Sequence, residues 1–108
     1  MSIRVSLVTA FLMGAIVAVP AANTINVGQH GLSFTRSSAS LARGDQMIFT
    51  NEDDVIHNIH IFGPADGESK DLGLQKPGVP LNYRFDKTGA YRVRCNIHPS
   101  MKMAVIVK

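Results

Sequence analysis

The sequence has one cysteine, no tryptophan and few aromatic side chains of any kind. A single cysteine excludes a disulfide within the chain, so Cys95 is left as a metal ligand, a reactive thiol or a small buried hydrophobe. Charge is scarce too: the formal net charge is +3, and Arg4 is the only charged side chain before residue 22. So small an excess gives no argument for nucleic acid or for strong adsorption to a membrane surface. Internal repeats, low-complexity tracts and, beyond residue 21, any long helical period are also missing. Solenoids and helical bundles are thereby excluded.

One long apolar run is present, from Val5 to Val19 behind Arg4. It is too short to span a bilayer and ends in small residues, Val19-Pro20-Ala21, so residues 1–21 read as a secretory signal peptide cut after Ala21 or Ala22. An uncleaved membrane anchor is the alternative. The expected mature domain, residues 22–108, has about 86 residues, few enough that it buries only a modest share of its surface and needs efficient packing or a staple.

That domain reads as short strands cut by turn residues. Thr24 to Gln29 and Leu32 to Thr35 are strand-like, Ser37 to Ser40 is small and polar, and Arg43-Gly44-Asp45 turns the chain into the β-rich run Gln46 to Thr50. Asn51 to Asp54 is an acidic turn leading into Val55-Ile56-His57-Asn58-Ile59-His60-Ile61-Phe62. Gly63 to Gly78 has no apolar period and is expected to be a long surface connection, with one helical turn around Ser69 to Leu74. Leu81 to Phe85 and Tyr91 to Cys95 alternate apolar with polar residues, and Ala104 to Val107 closes the chain. Seven or so short strands predict an antiparallel β-sandwich. Alternation points Tyr91, Val93 and Cys95 inward and Arg92 and Arg94 outward, with Arg84 facing out on a neighbouring strand. His57, Ile59 and Ile61 share one face, and Asn58, His60 and Phe62 the other.

The chemistry is concentrated in the last fourteen residues. Cys95, His98 and Met101 stand at intervals of three between two strand-like segments. A thiolate, an imidazole and a thioether from one loop form a soft ligand set of the kind that selects copper, and a second histidine completes a trigonal site with a weak axial sulfur. His57 and His60 lie three apart and on a strand would face opposite ways, so only one can join the site without a bulge. His57, at the start of its strand, is placed to reach the loop, while His60 is expected to be packed or solvent-facing and His30 an ordinary loop residue. Met101 and Met103 both stand near enough for the axial position.

The ordered combination of His57-Asn58, then Cys-x-x-His some forty residues on, then methionine and a closing strand resembles the cupredoxins, the small blue-copper proteins. The short His-Pro-x-Met spacing is most like that of amicyanin. The resemblance implies a Greek-key sandwich holding one type 1 copper ion through His57, Cys95, His98 and Met101, since the ligand methionine of the family is separated by two residues from the final β-branched run. It implies that Asn58 ties the upstream histidine's loop to the cysteine loop. It also implies that the edge of His98 lies at the surface in an apolar patch, for which Ile97, Pro99 and Phe62 are candidates. Ile56 and Ile97 depart from the family, where many members have proline.

The function so implied is electron transfer, not catalysis. A monomeric periplasmic carrier would pass single electrons between transient redox partners. By parity Arg84, Arg92 and Arg94 form a basic strip on a solvent face, which either guides an acidic partner or is an ordinary solvated sheet face. Copper tolerance or delivery is the alternative from another class. A third, an exported enzyme with Cys95 as nucleophile and His98 as base, would leave Met101 and His57-Asn58 without a role.

Overall fold

The computed structural model describes residues 22–108, so the expected signal peptide lies outside the described residues. Nine strands follow in order: β1 (Thr24–His30), β2 (Ser33–Phe34), β3 (Ser38–Leu41), β4 (Gln46–Asn51), β5 (His57–Phe62), β6 (Ser69–Gln75), β7 (Pro80–Arg84), β8 (Gly89–Arg94) and β9 (Lys102–Val107). They form a four-stranded sheet, β2-β1-β4-β7, and a five-stranded sheet, β3-β9-β8-β5-β6. The non-sequential order is that of a Greek-key sandwich.

The sheets are mixed, not purely antiparallel: β1 runs parallel to β4, and β3 parallel to β9. After the β1-β2 hairpin the chain crosses to the other sheet at β3 and returns in β4, so β4 runs in the direction of β1. Alternation shows which face of a strand is buried and carries no information on the direction of its neighbour.

Two segments differ from expectation. Ser69 to Leu74 is no helical turn but most of β6, an edge strand paired antiparallel with β5. Only Gln75 at its end is buried, so it has little apolar period to display. Ser38-Ala39-Ser40-Leu41, small and polar by composition, is a strand because Ala39 and Leu41 turn into the core. Between β5 and β6 the register shifts, Ile59 pairing with Gly73 and His60 with Asp71. The extra residue, Leu72, is on β6, so the alternation of β5 survives the bulge.

Tyr91, Val93 and Cys95 point inward, as do His57, Ile59 and Ile61. All of these but His57 pack with Met47, Phe49, Phe85 and Val105. Phe85 lies edge-on to both Tyr83 and Tyr91, with ring centroids 4.8 and 5.0 Å apart. Each large side chain withdrawn from water in this way contributes about 1.5–3 kcal/mol. At the edge, Gln75 donates to the carbonyls of Phe49 and Val79, fixing the end of β6 beside His57. Gln29 is fully buried with no protein hydrogen-bond partner for its amide among the described residues, and nothing in the structure explains it.

Candidate metal centre

Antiparallel pairing brings the ligands together. β5 runs antiparallel to β8, and β8 to β9, so the start of β5 lies at the end where the chain leaves β8 and enters β9. His57 opens β5, and Cys95 to Met101 is the loop joining β8 to β9. The loop is closed by two backbone bonds, Cys95 N–H to the Met101 carbonyl at 3.1 Å and Met101 N–H to the His98 carbonyl at 2.9 Å. Three donor atoms from distant sequence positions are thereby held in place.

Those atoms form a compact triangle. His57 Nδ1 and His98 Nδ1 are 3.1 Å apart, and Cys95 Sγ lies 3.9 Å from the first and 3.7 Å from the second. From these three sides, a point equidistant from all of them lies about 2.1 Å from each, within the range of bonds from a transition metal to imidazole or thiolate, about 2.0–2.3 Å. One thiolate and two imidazoles in trigonal array fit copper. His57 and Cys95 are fully buried and His98 is half-buried, and they are the one such cluster of histidine, cysteine and carboxylate donors among the described residues.

Met101 is 1% exposed and Met103 3% exposed. Both point inward from the same edge of the sandwich, but Met103 pairs with Val93 inside the sheet, whereas Met101 is hydrogen-bonded to Cys95 itself.

Hydrogen bonds orient the donors. Asn58 N–H donates to Cys95 Sγ at 3.4 Å. Its side chain does the tying expected of it: Oδ1 accepts from Asn96 N–H at 2.6 Å, and Nδ2 donates to Asp71 on β6 at 2.9 Å. His60 stays outside the centre, stacked on Phe62 with Nδ1 2.9 Å from the Asn96 amide nitrogen. His30 is exposed at the end of β1.

Asp53 was not foreseen as part of the site. Its Oδ2 lies 2.7 Å from His57 Nε2, which leaves Nδ1 free to face the cysteine. The same carboxylate accepts from Gly31 N–H at 2.7 Å and Leu32 N–H at 3.0 Å, the two positive-φ residues of the β1-β2 turn. Partial burial pushes the Asp53 carboxyl up, but the bonds from His57, Leu32 and Gly31 outweigh it and hold the group below its ordinary value. Asn51 shapes the turn that presents it, accepting from Asp53 N–H and donating to the carbonyls of Val55 and Gln75. In the sequence these residues are an acidic turn and no more.

Two expectations about the surface fail. Phe62 ends β5, at the opposite end of that strand from His57, under the Arg94 guanidinium at 5.6 Å; it is no part of a patch around His98. Arg84 belongs to the four-stranded sheet and pairs with Asp86 at 2.8 Å, so it forms no strip with Arg92 and Arg94. Parity showed that all three face solvent but not which sheet each strand joins.

The chain is similar to several known proteins. It is 28% identical over 94 residues to the methylamine utilization protein MauL of Methylorubrum extorquens, covering 87% of this chain and 82% of that one. Its fold superposes on a methionine-to-alanine variant of amicyanin in the Cu(I) form with a TM-score of 0.71 at 22% identity, covering 79% of this chain and 82% of the other. A copper-containing nitrite reductase from Thermus scotoductus matches with a TM-score of 0.70 at 26% identity, over 79% of this chain but 22% of that enzyme. The family model for copper binding proteins of the plastocyanin/azurin family matches residues 21–108. With a trigonal Cys-His-His site at the strand ends where that fold presents it, the chain belongs to the plastocyanin/azurin family of copper-binding proteins.

Proposed function

We propose that this is a periplasmic type 1 copper protein that carries single electrons between larger redox partners, with His57, Cys95, His98 and Met101 as its ligands. The observation that carries the reading is the buried donor triangle already set at metal-binding distances. A bound copper ion supplies a one-electron couple between Cu(I) and Cu(II). The chain's part is to keep the donors in one compromise geometry for both states, so that little rearrangement accompanies the change. Asp53 fixes the His57 ring, Asn58 N–H points at Sγ, and the two backbone bonds of the loop hold His98 and Met101.

Met101 is assigned the axial position over Met103 because its carbonyl accepts from Cys95 N–H, which sets the two residues side by side. Met103 lies two residues further along β9, about 6.6 Å along an extended strand. An exported location is supported by the apolar run behind Arg4. Transient docking at the ligand end is supported by the apolar surface there. Among the described residues, Ile56 and Ile97 flank His57 and His98, and both are close to half exposed, as is Leu32, bonded to Asp53. An exposed apolar cluster of this kind, rimmed by polar residues, marks an interaction surface.

Voltammetry of the copper-loaded protein tests the reading. A reversible one-electron couple with fast self-exchange supports an electron carrier. Copper lost to a chelator on the timescale of that exchange would point instead to metal delivery.

A further inference from the structure

We propose that the outer face of the five-stranded sheet, beside Cys95 and separate from the apolar ligand end, is a docking surface for an acidic protein partner; this rests on the electron-carrier reading. Arg92 and Arg94 project from β8 and Lys102 from β9, all exposed, and Arg94 pairs directly with Lys102 across the two strands. Like charges directly opposite on a sheet repel, and none of the three has a salt bridge among the described residues. The outward positions of β3, next to β9, are Ser38 and Ser40 and supply no counter-charge. Three cations are thus held together with no ion-pair partner among the described residues, and their complement is an anionic surface.

The surroundings suit a protein and not a small ion. Arg94 lies over Phe62, which stacks on His60, so the guanidinium is propped on an aromatic platform. Alongside runs a shallow groove of about 440 Å³ lined by Phe62, Pro64, Ala90, Arg92, Ala104 and Ile106. Ile106 is 45% exposed on this face. Arginine and aromatic side chains around an apolar floor are the composition of protein interfaces. Of the acidic groups nearby, Asp71 on β6 is engaged by Asn58 and Gly73, Glu68 lines the groove but is paired with Lys87, and Asp66 also lines the groove. Arg94 is bonded to Cys95, so a partner seated here is one residue from the ligand sulfur.

The test follows electron transfer from the Cu(I) holoprotein to ferric cytochrome c, one electron reducing one haem, with the cytochrome either native and basic or succinylated and acidic. The parent is expected to reduce the succinylated form faster at low salt, with a rate that falls as ionic strength rises. Arg92→Gln/Arg94→Gln is expected to slow that reaction at least about fivefold. Arg43→Gln/Lys108→Gln removes equal charge from the opposite end of the sandwich and is expected to slow it less than twofold. Arg92→Gln alone, three residues from Cys95, is the variant to read if the double variant loses colour. Equal slowing by both double variants would mean attraction by net charge alone and would overturn the proposal. So would equal slowing of oxidation by ferricyanide, which would mark a site for small anions only. Failure of the reversible couple itself would instead remove the carrier reading beneath it.

Discussion

Asp53→Ala is the perturbation that probes how the fold imposes geometry on the ligand His57. The carboxylate takes three bonds, from His57 Nε2 at 2.7 Å, Gly31 N–H at 2.7 Å and Leu32 N–H at 3.0 Å. Losing the first frees the imidazole to rotate and leaves Nε2 without its acceptor. Loss of such a partner to a metal-bound histidine costs about 10- to 100-fold in metal affinity, or about 1.4–2.7 kcal/mol. Losing the other two deprives the β1-β2 turn of its clamp. Leu32, with φ of 56°, holds a left-handed conformation that costs a non-glycine residue about 1–2 kcal/mol, and the carboxylate helps to maintain it. The copper-free variant should therefore also lose stability, by about 1–3 kcal/mol. Competition against a copper chelator measures the first effect, and denaturant unfolding of copper-free protein the second. Asp53→Asn keeps one acceptor oxygen and should lie between alanine and the parent in both. If Asp53→Ala bound copper within twofold of the parent and unfolded at the same denaturant concentration, the carboxylate would be a bystander and the reasoning refuted.

Met101→Gln should leave a coloured protein with a clearly shifted reduction potential, because an axial thioether is a weak bond that tunes the couple without holding the metal. Met103→Leu nearly conserves volume in the core and should keep the parent's potential at a stability cost under about 1.5 kcal/mol; reversed outcomes in voltammetry would move the axial role to Met103. His60→Ala should leave the visible spectrum nearly unchanged, since His60 touches Asn96 and Asp71 and none of the donor atoms, and a collapsed spectrum would contradict its placement. Burial, then the carboxylates of Glu68 and Asp86, raises the Tyr83 hydroxyl above its ordinary value, and burial foremost raises that of Tyr91, whose hydroxyl donates to the Lys87 carbonyl. The stability these tyrosines contribute is complete below the unfolded value of about 10 and is lost as pH rises through the higher native values, which ultraviolet titration beside unfolding curves would show.

The cluster of His57, Cys95 and His98 was legible in the sequence because most of it is local. Cys95 and His98 come from one loop, strand parity allowed only one of His57 and His60 to join them, and the strand-start position and the His57-Asn58 resemblance chose His57. What escaped depends on pieces brought together by topology. Asp53 reaches His57 across a short turn, but its meaning also requires the β1-β2 hairpin to deliver Gly31 and Leu32. Arg84 and Arg92 have the same parity on strands that belong to different sheets. β6 hid because an exposed edge strand, held by backbone bonds to one neighbour, needs no apolar rhythm. Sequence pattern reports burial, and these features are set by pairing.

An absorption spectrum of the protein loaded with copper(II) reports whether Cys95 forms a copper–thiolate bond. The structure predicts an intense visible thiolate-to-copper band that vanishes in Cys95→Ser, because Cys95 is the chain's one source of a thiolate. A colourless copper(II) protein, or a band that survives in Cys95→Ser, would contradict it.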